Sequence, residues 1–334
     1  MDTLTHIVLG GCIGEAVASK QLGKKAVLLG ALAQSFPDID FLAYFWLNKT
    51  ENLLAHRGIT HSFLFVMIAT LVFSIVAVKL FRKKKIPGKV WVALFGINLL
   101  VHILIDSLNA YGVGWWEPFS KHRISFHLLY VADPFLSIFP FIGFILLLIF
   151  KNPRLCRVIS VSGLALAFCY MGYALYNKLS IESKLKKDLL AQNISSREFF
   201  STPTPLNSWL WFIVVKNEDG FYTAYRSVFD KEATSFTYWP QRDTLLNEVR
   251  DKKELSDLLH FSGKYYTIEK RNDTLVFNVL RFGQSGGWYD PQADFAFHYY
   301  LDKPGANKML VQRGRFQNWN KTTFRSFLKR IKGQ

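Results

Sequence analysis

The chain has 334 residues, half of them hydrophobic, with 41 Lys and Arg against 25 Asp and Glu and a formal net charge of +16. Such a charge would suit nucleic acid, but many of the cations stand in short clusters beside long apolar runs, where they set membrane orientation, so nucleic acid is excluded as a partner. Cys12, Cys156 and Cys169 lie in or beside hydrophobic segments, which excludes a disulfide framework and a thiolate metal site.

Thr3 to Ala18 is a short apolar segment ending at Lys20, Lys24 and Lys25. It has no basic leader and His6 interrupts it, so no cleavable signal peptide is expected. Ala26 to Phe36 is a second short segment, stopped by Pro37. Each falls below the roughly 20 residues that cross a bilayer, so the pair is expected as a helical hairpin packed within the protein or re-entrant. Phe41 to Leu47 suits an interface, and a polar loop with His56, Arg57 and His61 follows. Phe63 to Leu80 reads as a spanning helix closed by Arg82 to Lys85, and Val90 to Ala110 returns. After a loop with Trp115, Trp116, Lys121, His122, Arg123 and His127, Leu128 to Phe150 spans again, with Asp133 and Pro134 near its start. Lys151, Arg154 and Arg157 follow, and Leu155 to Tyr176 is the last span. The expectation is four spans and one hairpin.

The basic clusters at Lys20 to Lys25, Arg82 to Lys85 and Lys151 to Arg157 belong on the cytoplasmic side. That rule puts His6, Asp38, Asp40, the His56–His61 loop, Asp106 and the Gly112–His127 loop on the outer side. It puts the C-terminal region there too.

Beyond residue 178 the pattern changes. Ser201-Thr-Pro-Thr-Pro205 punctuates the boundary, and strand-like runs follow at Trp209–Val215, Phe221–Phe229, Ser235–Trp239, Lys264–Lys270, Thr274–Phe282 and Phe295–Leu301. Thr244–Leu259 and Lys321–Ile331 are predicted amphipathic helices. The fold class expected is a mainly α polytopic helical bundle, residues 1–178, followed by an extracytoplasmic α+β domain rich in antiparallel sheet, residues 179–334.

One stretch stands out. Asn98, His102, Asp106 and Asn109 fall at steps of four, four and three inside an otherwise apolar run, so they share one helix face. Ionisable groups at membrane depth persist where they face a partner, an ion or a water-filled cavity. A His and an Asp one turn apart can hold one metal. With His6, Asp38, Asp40, His56 and His61 the set offers imidazole and carboxylate without thiolate, suited to Zn, Mn or Fe. Asn98 and Asn109 are expected to bond between helices. His260 and His298 are expected to be ordinary domain histidines.

Met-Asp-x-x-Thr-His at residues 1–6, Pro37-Asp-Ile-Asp40, His56-Arg-Gly-x-Thr-His-Ser62 and His102-x-x-x-Asp106, with Pro118-Phe-Ser120 and Asp133-Pro134, occur in this order. Together they resemble the membrane-bound metal-dependent hydrolases of the YdjM type over roughly residues 1–135. That family is distantly similar to zinc-dependent phospholipase C. The resemblance implies His6, Asp40, His61, His102 and Asp106 as ligands, with Asp106 bridging two ions and Asp38 as a supporting partner. It leaves His122, His127 and Asp133 as partial replacements for a further ligand pair that this chain lacks.

The leading expectation is an integral-membrane hydrolase holding one or two divalent ions, zinc first. It would act on a phosphoester or lipid-linked substrate at the outer face of the cytoplasmic membrane. Asp106 would serve the chemistry, and Arg57 or Arg123 would grip a phosphate oxygen. A metal or proton transporter, or an anchored binding protein with a structural metal, are the alternatives.

Overall fold

A computed structural model of the chain describes residues 1–196, 198–303, 307 and 319–334. These form two compact units, Met1–Leu47 with Ala55–Tyr173, and Asn48–Leu54 with Ala174–Gln334.

The first unit is helical. Helix α1, Thr3–Leu22, starts where the Asp2 carboxylate accepts from the Thr5 backbone N–H at 3.0 Å, satisfying one of the donors that a helix start leaves open. Gly23, at φ +56°, turns the chain into α2, Lys25–Ser35. Helices α1 and α2 touch backbone to backbone. A Cβ at Gly10 would overlap Gln34 and the Gly30 carbonyl, and one at Gly14 would overlap the Ala26 carbonyl. The glycines of an apolar segment thus set the spacing of the hairpin.

Pro37 does not end the second segment. It occupies the first turn of a 3₁₀ helix, Phe36–Phe45, continuous with α2, because proline's missing N–H is not needed there. The run Lys25–Phe45 is thereby long and apolar enough to cross a membrane, as are α4, Phe63–Leu80, and α5, Gly88–Asp106. A short helix α3, Lys49–Ala55, lies between these runs. Helix α6 is only Pro134–Ile149, shorter than the expected Leu128–Phe150, because Asp133-Pro134 fixes its start. Helix α7, Pro153–Ala191, passes well beyond the expected end at Tyr176.

Helix α5 packs against α1, α2 and α4. Its Trp91, Leu94, Leu99 and Ile103 are fully buried, and so are Asn98, His102 and Asp106. Its polar stripe therefore faces protein.

Asp133 caps α6 by accepting from the N–H groups of Phe135 and Leu136, and its other oxygen accepts from the Tyr170 hydroxyl at 2.9 Å. Thr5 reaches the same corner through Ser137 at 2.6 Å. Asp133→Ala is expected to lower stability by about 1–3 kcal/mol, from a lost cap and a stranded hydroxyl. Asp133→Asn keeps the cap acceptor, and its NH2 can donate to a Tyr170 hydroxyl turned the other way, so it should cost less than Asp133→Ala. Thermal unfolding of the purified variants measures the difference.

The second unit joins the C-terminal half of α7 to two antiparallel meanders. The first is β1 (Glu198–Pro203), β2 (Leu210–Lys216), β3 (Gly220–Ser227) and β4 (Thr237–Pro240); the second is β5 (Tyr266–Arg271), β6 (Thr274–Gln284) and β7 (Phe295–Tyr300). Alternation along β2 explains the layers. Trp211, Ile213 and Val215 pack on Ile181, Leu185 and Leu189 of α7, whereas Phe212 and Val214 meet Leu280 and Phe295 of the other sheet. Strand β1 was not foreseen, because its Ser-Thr-Pro end reads as a loop; at a sheet edge the proline costs no ladder bond. Helix α8 is Lys252–Ser262, preceded by a separate 3₁₀ turn at Asp243–Glu248 rather than joined to it. Helix α9, Lys321–Ile331, matches its predicted bounds.

Candidate metal centre

Four side chains converge at one end of the helical unit. Asp38 comes from the 3₁₀ segment, His61 from a short 3₁₀ turn at Ile59–His61, and His102 and Asp106 from α5. Their candidate ligand atoms all lie within 4.8 Å of one another. Nε2 of His61 is 3.0 Å from Nε2 of His102 and 3.3 Å from Oδ2 of Asp106. Oδ1 of Asp38 is 3.6 Å from both Nε2 atoms, and His102 Nε2 is 3.7 Å from Asp106 Oδ2. A tetrahedron with ligand bonds of about 2.1 Å has edges of about 3.4 Å. The observed separations bracket that value.

The hydrogen bonds around the ring fix the imidazole tautomers. His102 Nδ1 lies 2.5 Å from the Gln34 carbonyl oxygen, which only accepts, so Nδ1 carries the proton. The Thr60 hydroxyl donates to Asp40 and leaves its lone pairs for His61 Nδ1 at 3.0 Å. In both rings Nε2 is then left with a lone pair. Burial drives the His61 pKa down to about 3, so no proton bridges the two nitrogens at neutral pH. Two lone pairs facing each other across 3.0 Å, with two carboxylates alongside, repel unless a cation lies among them. The donor set fits a divalent metal, with each histidine held through its other nitrogen, as metal ligands are.

The two aspartates exchange their expected roles. Asp38, taken from the sequence as a supporting partner, is in the ring. Asp40, expected as a ligand, spends its oxygens on the Arg57 backbone N–H at 2.7 Å, His56 Nδ1 at 3.1 Å and Thr60. The 3₁₀ geometry is the cause. With three residues per turn, positions two apart point about 120° away from each other, so Asp38 meets α5 while Asp40 meets the loop.

His6 stands beside the ring. Its Nε2 is 3.2 Å from Asp106 Oδ1, its ring stacks on His102 at 3.9 Å, and its buried Nδ1 has no hydrogen-bond partner among the described residues. The two oxygens of Asp106 therefore face different histidines. On the Oδ1 side, among the described residues, lie the Met1 ammonium and the His6 ring.

Neither arginine expected to grip a substrate reaches outward. Arg57, 2 % exposed, places Nε 3.1 Å from Asp106 Oδ2 and donates to Asn109 Oδ1 at 2.8 Å and the Met1 carbonyl at 3.2 Å. Its backbone holds φ +62°, a left-handed conformation unusual outside glycine. Arg123 donates to the carbonyls of His56 and Gly112, and burial lowers its pKa to about 10. Both cations hold the loop that carries His61.

Asn98 donates to the Leu94 carbonyl within its own helix and meets the Gln34 amide on α2, while Asn109 donates to the Asp106 carbonyl. His56 stands beside the ring, bonded to Asp40 and edge-on to the His61 ring at 6.4 Å between centroids. His122 is exposed, His127 is half-buried at φ +49°, and Asp133 caps α6; none is in the ring. The sequence reading missed Gln34 and Thr60. A lone glutamine in an apolar helix was the available signal for the first.

The profile of the YdjM inner membrane protein family matches residues 1–181. Inner membrane protein YbcI of Escherichia coli (strain K12) is 32% identical over 122 residues, 36% of this chain and 69% of that protein. Uncharacterized protein YfhP of Bacillus subtilis (strain 168) is 26% identical over 229 residues, 66% of this chain and 67% of that protein. No solved structure matches. With the apolar helices described above, the match over more than half the chain makes this a multi-pass membrane protein that belongs to the YdjM inner membrane protein family.

Proposed function

We propose that the protein is a metal-dependent hydrolase acting on a phosphoester or lipid-linked substrate at the outer face of the membrane. The observation that carries this reading is the pair of opposed Nε2 lone pairs of His61 and His102 beside the carboxylates of Asp38 and Asp106. Two neutral imidazoles and two carboxylates balance one divalent cation, with zinc first and Mn or Fe as alternatives. A single ion is favoured, since the second oxygen of Asp106 is already paired with the Met1 ammonium and, among the described residues, has His6 as its one side-chain neighbour on that side.

A divalent ion there supplies Lewis acidity, polarising a substrate oxygen and making water a nucleophile near neutral pH. The chain's own residues hold the donors in place. The Gln34 carbonyl and Thr60 orient the two imidazoles, and Arg57 orients Asp106 while offsetting its charge. Asp38, with 22% of its side chain exposed against 0% for the other three, marks the edge a substrate can approach. The basic clusters support an outer location for the centre and for the C-terminal unit.

Complete burial of three donors also suits a structural metal. Purified protein should carry about one zinc per chain and cleave long-chain phosphoesters, with Asp106→Ala losing both. Zinc retained without hydrolysis of any phosphoester would favour the structural reading. Absence of metal from protein purified without chelator would end both.

A further inference from the structure

Helix α3 groups with a different unit from the chain on either side of it. Residues up to Leu47 and from Ala55 onward belong to the helical unit, whereas Asn48–Leu54 belong with the C-terminal one. Seven residues, Lys49–Ala55, are about half the length at which an isolated helix becomes marginal in water. The partners that hold α3 come from the C-terminal unit. The buried Thr50 hydroxyl donates to Asp257 Oδ2 of α8 at 3.0 Å, Glu51 pairs with Lys253 one turn earlier on α8, and the Lys49 ammonium donates to the Asn307 carbonyl at 2.5 Å.

The segments that flank α3 are the two that feed the metal centre. Trp46, Leu47 and Asn48 join it to the 3₁₀ helix that carries Asp38 and Asp40. On its far side the Gly58 N–H donates to the Ala55 carbonyl at 3.0 Å and the His61 N–H to the Gly58 carbonyl at 2.9 Å. Consecutive turns thus run from the end of α3 to the ring histidine. Between them Arg57 gives its N–H to Asp40 and lays its guanidinium against Asp106.

We infer that α3 is a strap by which the C-terminal unit holds the metal-site loop in place, with Thr50 and Asp257, and Glu51 and Lys253, as positioning residues for His61 and Arg57. This rests on the metal-centre reading and gives the C-terminal unit a part in it. The physical reason is loop entropy. Helix α3 is the one regular element between Phe45 and Ile59. Docked, it divides the path between the two ring-bearing segments into two short tethers. Loose, it leaves one long loop that must be ordered whenever His61 is brought to Asp38. Such coupling is reciprocal, so an ion that draws His61 into the ring also steadies α3 on α8.

The test uses the full chain in nanodiscs, loaded with Co²⁺, and follows release of the ion to excess chelator by its visible spectrum. A Thr50→Val/Lys253→Glu variant removes the buried donor and sets two carboxylates against each other, at positions outside the ring. It should release Co²⁺ roughly tenfold faster than wild type. Adding Glu51→Lys restores the ion pair with its signs exchanged and should recover part of the loss. Amide exchange gives the reciprocal reading, which a purely local loss of packing would not move. Metal should slow exchange over Lys252–Ser262 in the wild type and not in the double variant, while β2 exchanges equally in both. Equal Co²⁺ release from wild type and double variant, or exchange over Lys252–Ser262 indifferent to metal in the wild type, overturns the strap while leaving the metal centre standing. Failure to bind Co²⁺ at all overturns the centre and the strap with it.

Discussion

Asp38→Asn is expected to weaken divalent-metal binding by more than about 100-fold, whereas Asp40→Asn should weaken it by about 10–100-fold. Asp38 places an oxygen 3.6 Å from the Nε2 atoms of both ring histidines, so the substitution removes a charged donor from the ring. Asp40 has no oxygen on either Nε2. It acts by holding the Arg57 backbone and, through Thr60, the His61 ring. His102→Ala and Asp106→Ala should match Asp38→Asn in severity and leave insertion into the membrane intact, since each removes a polar group from an otherwise apolar helix. Parallel zinc titrations of the four purified variants decide the order. If Asp40→Asn proved the more damaging, the ring as drawn would be off by one column of the 3₁₀ helix.

Arg57→Met carries the largest expected cost in stability. Its guanidinium bonds Asn109 and the Met1 carbonyl and lies against Asp106, all in a buried corner. Removing one partner of a buried ion pair costs about 3–5 kcal/mol where the charge is stranded; the Met1 ammonium still on the other oxygen of Asp106 holds this loss to the lower end of that range. The loss should be greatest in protein treated with a chelator. Zinc should return part of it, because the metal takes over the Asp106 carboxylate. Arg57→Lys should recover little, since a compact ammonium cannot reach three acceptors spread as a planar fork. Thermal unfolding with chelator and with zinc gives the comparison; an Arg57→Met protein as stable as wild type under chelator would show that the pair carries no net stability.

Spacing along the chain was enough to place His102 and Asp106 on one buried helix face, because a turn of about 3.6 residues is a local property. It was enough for α4, for α9 and for most of the strands, whose alternation is also local. It brought His61 into the candidate set through its loop motif. What tertiary structure alone decided is how the segments between these elements coil and aim. Pro37 stops an α-helix in isolation, yet here it opens a 3₁₀ turn whose far side is held by the His56–His61 loop. That change of period, from 3.6 to 3.0, moved Asp38 into the ring and Asp40 out of it. Arg57 and Arg123 look like free cations in sequence, and only the folded loop shows their guanidinium groups turned inward to Asp106 and to backbone carbonyls. Gln34 joins the site because glycines let α1 and α2 touch, bringing α2 within reach of α5. Helix period and strand alternation are set by neighbours in the chain, whereas the partner of a buried charge is set by whatever the fold carries to it.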